Sequence, residues 1–138
     1  MPPDQTTTSD AVPPVGGVET ILLVEDEPAV RRIIRQILDR GGYTVIEAAD
    51  GLAALAKAEE HRGTIELLLT DMVMPGMPTA ELVALVRKLR SGIRVLCISG
   101  HSDDPVSGQS IPTGAAYLQK PFSISGLSLK VREVLDAD

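Results

Sequence analysis

LLLTDMVMPGM, residues 67–77, decides the fold and raises the chemical question. An apolar run drives straight into an ionisable residue, Asp71, and the chain then breaks at Pro75 and Gly76. A continuous apolar run bounded by turn residues is the pattern of a strand buried on both faces of a sheet. A carboxylate at the mouth of such a strand is either a solvated turn residue or a group placed there to react.

The same pattern recurs on both sides. The spacing predicts buried strands over Ile21–Val24, Ile65–Leu69 and Ile93–Ile98, and a short one over Ala115–Leu118. Tyr43–Ala48 alternates and suits an edge strand. Between the strands lie helical patterns. The first has Pro28 near its start, an inward face of Val30, Ile33, Ile34, Ile37 and Leu38, and Gly41–Gly42 as its stop. The second is capped by Asp50, with Leu52, Leu55 and Ala56 inward. The third opens at Pro78–Thr79 and carries Leu82, Val83, Val86 and Leu89; the last carries Leu127, Val131, Val134 and Leu135. In HSDDPVSGQSIPTG, residues 101–114, Pro105, Gly108 and Pro112 leave any fourth helix short or weak. Strands alternating with helices predict an α/β fold, a doubly wound five-stranded parallel sheet with helices on both faces and right-handed crossovers. Residues 1–19, rich in Pro, Thr and Gly, are expected to be a flexible tail or linker before a domain at 20–138.

Composition sets the limits. The 138 residues are 43% hydrophobic but only 2% aromatic, so the core is aliphatic. A chain of this size needs no disulfide or structural metal to fold. The net charge of −6 argues against nucleic acid and anionic membranes as partners, but not against a cation. The single cysteine, Cys97, lies in the apolar run RVLCIS and is expected to be a buried thiol in a reducing compartment. No apolar run reaches about 18 residues, and the N-terminus lacks a secretory pattern. The expected location is cytoplasmic, without membrane contact.

In open α/β sheets, ligands bind at the carboxyl ends of the strands. There the first strand delivers Glu25-Asp26-Glu27, the third Asp71, the fourth Ser99-Gly100, and the fifth Lys120-Pro121. Each group alone has an ordinary explanation as a cap, a turn hydroxyl or a solvated lysine. Their convergence on one rim does not. Clustered carboxylates repel, and a hard divalent cation such as Mg2+ relieves that cost. Asp71 then has an oxygen able to attack phosphorus and form an acyl phosphate, with Lys120 and the Ser99 hydroxyl contacting phosphoryl oxygens. Gly100, without a side chain, leaves the approach open.

These segments resemble the receiver domain of two-component response regulators, over nearly all of residues 20–138. TILLVEDEP is similar to the family's first strand and acidic pocket, LLLTDMVMPGM to its phosphoacceptor segment, CISG to its switch hydroxyl, and YLQKPF to its lysine and following proline. The resemblance implies a flavodoxin-like sheet in the order 2-1-3-4-5. It implies Asp71 as phosphoacceptor, and Mg2+ held by Asp26, Asp71 and the Val73 carbonyl, with Glu25 acting mostly through water. It implies Lys120 and Ser99 as phosphoryl-binding groups, Ser99 and Tyr117 as switch residues, and a cis Lys120–Pro121 bond. A histidine kinase or histidine phosphotransfer protein is the implied partner, docking on the helix face around Ala29–Leu38. The domain is then a phosphoacceptor rather than an enzyme. Val73 cannot orient a hydrolytic water and His101 is the alternative group for that task, so slow self-dephosphorylation is expected. The weak fourth-helix segment argues for a monomer.

The runs ETILLVEDEPAVR and GYTVIEAADG resemble receivers at the carboxyl end of hybrid sensor histidine kinases. A linker-like start and an end at Asp138 fit that placement; a stand-alone or truncated response regulator is the alternative. A haloacid-dehalogenase-like phosphatase would also use a strand-end Asp with Mg2+, but it needs a second Asp where Val73 stands. A flavodoxin-type nucleotide module would need a glycine-rich phosphate cradle, and none follows the first strand. A phosphotransfer role for His61 or His101 lacks the helical bundle it requires.

Overall fold

Four runs rich in β-branched and leucine residues, and the short run AYLQ, each too short for a stable helix, pair into one parallel sheet. In the computed structural model, which describes residues 16–72, 76–99 and 112–137, β1 spans Thr20–Val24, β2 Thr44–Ala48, β3 Leu67–Asp71, β4 Arg94–Ser99 and β5 Ala116–Gln119. The helices α1 (Pro28–Arg40), α2 (Gly51–Glu60), α3 (Thr79–Leu89) and α4 (Ile124–Asp136) complete the described elements. The strand order is β2-β1-β3-β4-β5 with every pair parallel, the flavodoxin-like arrangement expected, and β2 is indeed an edge strand. The anticipated weak helix falls in residues outside the described ones.

Strand alternation sorts the core into two layers. Ile21, Leu23, Leu67, Leu69, Leu96 and Ile98 face α1 and α4, where Ile34, Leu38, Leu127 and Val131 meet them. Leu22, Val24, Leu68, Val95 and Cys97 face α2 and α3, against Ala54, Ala58, Leu82 and Val86. Both faces of β3 are buried along its whole length. Each fully buried leucine here contributes about 1.5–3 kcal/mol. The buried Cys97 thiol is pushed up to about 11, chiefly by burial, as its apolar surroundings predicted.

Several expectations need correction. β3 begins at Leu67, not Ile65, and continues through Thr70 and Asp71, because Asp71 still pairs with Ile98 of β4. Ile65 is buried, but in the approach to the strand. On α2 the sheet-facing residues are Gly51, Ala54 and Ala58, while Leu52 and Ala56 are exposed. Small residues let α2 pack closely; a Cβ on Gly51 would stand 3.0 Å from the Met77 Cβ, a contact that Met77 would have to relieve by shifting. Ile33 of α1 and Leu89 at the end of α3 also face solvent.

The chain enters β1 under restraint. The Gly17 amide donates to the Gly41 carbonyl at 3.0 Å. Arg132 of α4 donates to the Gly16 carbonyl, to both carboxylate oxygens of Glu19 and to Asp136. At Gly42, where φ is +93°, a side chain would be strained and would press on the Gly17 carbonyl at 2.8 Å. No helix of the described residues is long and apolar enough to cross a membrane.

Candidate functional site

Three strand ends supply the charged groups. β1 stops at Val24, and the next three residues, Glu25, Asp26 and Glu27, carry carboxylates before Pro28 starts α1. β3 delivers Asp71 as its last residue, and the first residue after β5 is Lys120. Parity explains the encounter of the last two. Leu69 and Leu118 both belong to the α1–α4 layer, so Asp71 and Lys120, two residues further on, emerge on that side.

The structure brings Glu25, Asp26 and Asp71 together: one carboxylate oxygen from each lies within 4.8 Å of the others. Lys120 Nζ stands 3.5 Å from Asp71 Oδ2 and 3.8 Å from Glu25 Oε1. Glu25 and Asp71 are buried, Asp26 and Lys120 partly so. Burial is the main cause that pushes the Glu25 carboxyl up to about 7; the neighbouring Asp71 charge adds to it, while the Glu27 amide and Lys120 oppose it. The Glu27 amide donates to Glu25 Oε2 at 3.1 Å. Anions crowded and desolvated to this extent make a donor set of oxygens alone, which suits a hard cation such as Mg2+.

Ser99 ends β4, fully buried, and its carbonyl accepts from the Lys120 amide at 2.6 Å. The switch-candidate serine and the lysine are therefore coupled through the main chain. Tyr117 pairs with Cys97 across β4 and β5 and packs, half-buried, against the α2–α3 layer. The Lys120–Pro121 bond is cis. Val73, Gly100 and His101 lie outside the described residues.

Two groups near the rim escaped the sequence reading. Arg31 of α1 donates from Nη1 to the Glu25 carbonyl at 2.7 Å and from Nε to Glu47 Oε1 at 3.2 Å, tying the acidic turn to β2. An arginine in the first turn of a helix, one of a pair with Arg32, gives no sequence signal for this. Thr79, almost fully buried at the start of α3, points its hydroxyl at the carbonyls of Met72, 3.1 Å away, and Asp71, 3.3 Å away. A threonine beside Pro78 signals only a helix start.

The response regulator receiver domain family matches residues 21–132. The chain is 39% identical over 124 residues to the sensor kinase CckA of Brucella abortus, covering 88% of this chain but 13% of that kinase. It is 31% identical over 121 residues to the response regulator receiver protein CpdR of the same organism, covering 87% of this chain and 99% of that protein. The crystal structure of the receiver domain from the hybrid histidine kinase CckA superposes with a TM-score of 0.72 at 38% identity, over 85% of this chain and 99% of that one.

Proposed function

This chain belongs to the response regulator receiver domain family of two-component signalling, and from that premise we propose that Asp71 takes a phosphoryl group from a phosphohistidine. Receiver domains act with histidine kinases or phosphotransfer proteins and serve as phosphoacceptors rather than as catalytic enzymes. The observation that carries the proposal for this chain is the convergence of three carboxylates and one ammonium on the rim. An Asp71 oxygen forms the new O–P bond as the donor's P–N bond breaks; the electron pair leaves with the imidazole, which takes up a proton. The product on Asp71 is an acyl phosphate.

Glu25, Asp26 and Asp71 would hold Mg2+, with the Val73 carbonyl as a further contact. When bound, that ion supplies positive charge against the carboxylates and the phosphoryl oxygens. Lys120 binds a phosphoryl oxygen, and Ser99 donates its hydroxyl to another. Gly100 keeps the approach clear. Movement of Ser99 toward the phosphoryl group opens space that the Tyr117 ring fills, biasing an existing equilibrium between two arrangements of β4 and β5. Val73, two residues after Asp71, has no group that could orient a hydrolytic water, so loss of the phosphoryl group is slow unless His101 takes that task.

The unit at 20–138 acts in the cytoplasm as the carboxyl-terminal receiver of a hybrid sensor histidine kinase, with residues 1–19 as its linker. Identity to the CckA receiver favours that context. The near-complete coverage of CpdR favours the second reading, a stand-alone regulator.

Incubation with acetyl phosphate and Mg2+ tests the proposal. Intact mass gains one phosphoryl group, Asp71→Asn gains none, and EDTA suppresses uptake. Uptake that persists in Asp71→Asn, or that ignores Mg2+, overturns it.

A further inference from the structure

We propose that Thr79 is a positioning residue for the phosphoacceptor: its hydroxyl fixes the main chain of Asp71 and Met72 and thereby holds the Asp71 carboxylate in line for attack. The inference rests on Asp71 being the phosphorylated residue. It starts from an orientation that the fold does not require. Thr79 is the first residue of α3, where Pro78 sits at the N-cap with no side-chain cap bond. A hydroxyl one residue earlier, at the N-cap, would accept from the first free amides. This one turns backward, 3.1 Å from the Met72 carbonyl and 3.3 Å from that of Asp71.

The site gives the hydroxyl something to hold. The Thr70 hydroxyl already donates to the Asp71 carbonyl at 3.0 Å, so a second hydroxyl, from eight residues further on, joins the first on the same peptide unit and its successor. Thr79 is only 3% exposed. A valine of the same shape would fill that space without the cost of desolvating a hydroxyl, so the hydroxyl is retained for its bonds. It also anchors α3 to the reactive end of β3, which makes the position of Asp71 depend on a helix that carries no charged group of the site. Reaction rates fall steeply when a nucleophile is misplaced by even a fraction of an ångström.

The decisive comparison is Thr79→Ser with Thr79→Ala, two variants that differ only by the hydroxyl. With acetyl phosphate and saturating Mg2+, the Ala variant is expected to phosphorylate about 3- to 10-fold more slowly than the Ser variant. The 13C carbonyl resonances of Asp71 and Met72 shift in the Ala variant and stay near wild type in the Ser variant, a readout that helix packing alone would not move. Thr79→Val, compared with wild type, repeats the test should the Ala variant unfold. Equal rates with and without the hydroxyl, in protein whose wild type reacts at Asp71, overturn this inference alone. A wild-type protein that takes up no phosphoryl group overturns the Asp71 reading and this inference with it.

Discussion

Lys120 Nζ lies 3.5 Å from Asp71 Oδ2, although the two residues are separated by 49 positions in the chain. That distance places one ammonium beside the proposed nucleophile, with Glu25 3.8 Å away. Two opposing effects follow from removing it. Lys120→Met leaves the carboxylate cluster more negative, so Mg2+ binds more tightly. The same change removes a positive charge from the phosphoryl oxygens, so phosphorylation slows by at least about 10-fold. Calorimetric Mg2+ titration and an acetyl phosphate time course together detect the divergence; a parallel loss of both would contradict it.

Glu25 makes stability depend on pH. Its carboxyl is raised from 4.5 to about 7, first by burial and then by repulsion from Asp71. Between those values the folded chain keeps a proton that the unfolded chain has lost, so stability falls as pH rises through that window. Without Mg2+, the urea midpoint is therefore expected to drop between pH 5 and pH 7.5, and Glu25→Gln to flatten the drop. Mg2+ competes with the same proton, so its affinity rises over the same range. An unchanged pH slope in Glu25→Gln would remove Glu25 as the cause.

Arg90, just past α3, donates from Nε to the Ala58 carbonyl at 3.0 Å and from its two terminal nitrogens to the carbonyls of Gly63 and His61. Ala58 lies in the last turn of α2, and His61 and Gly63 in the segment that follows it, so Arg90 ties down the end of that helix. Arg90→Met is expected to cost about 1.5–3 kcal/mol in urea unfolding while leaving the phosphorylation rate unchanged. A slowed rate would show that this end of the molecule is coupled to the rim.

Arg132 holds the entry to β1. Its hydrogen bonds are the first cause that lowers the Glu19 carboxyl below its ordinary 4.5. The pair therefore contributes stability above that pH and loses it as pH falls through the lowered value. Arg132→Met is expected to remove that acid sensitivity and to speed hydrogen exchange at the Gly17 amide, which is bonded to Gly41. Exchange at wild-type rate would mean that the glycine contact alone secures the segment.

Sequence pattern revealed the strands more readily than the helix faces, while the strand order came from the resemblance to receiver domains. Leu22, Leu68 and Val95 are buried wherever a strand lies between two helical layers, so an apolar run suffices to mark them. In GLAALAKA of α2, apolar residues occupy every side, so their spacing does not settle which side faces the sheet; close packing selected Ala54 and Ala58. The end of β3 was misplaced because apolarity stops at Leu69 whereas the pairing with β4 continues to Asp71. At the rim, Glu25, Asp26, Asp71 and Lys120 were legible because each follows a recognisable strand. Arg31 and Thr79 were not, since their bonds to main-chain carbonyls depend on the tertiary direction of a side chain and no local spacing encodes it.

The most direct measurement is chemical trapping of the acceptor. Protein incubated with acetyl phosphate and Mg2+ is reduced with borohydride, which converts an aspartyl phosphate to homoserine, and the peptides containing residues 26 and 71 are sequenced by mass spectrometry. Homoserine at position 71 is the predicted result. Homoserine at position 26, or a phosphoryl group that survives reduction on a hydroxyl or an imidazole, would contradict the account.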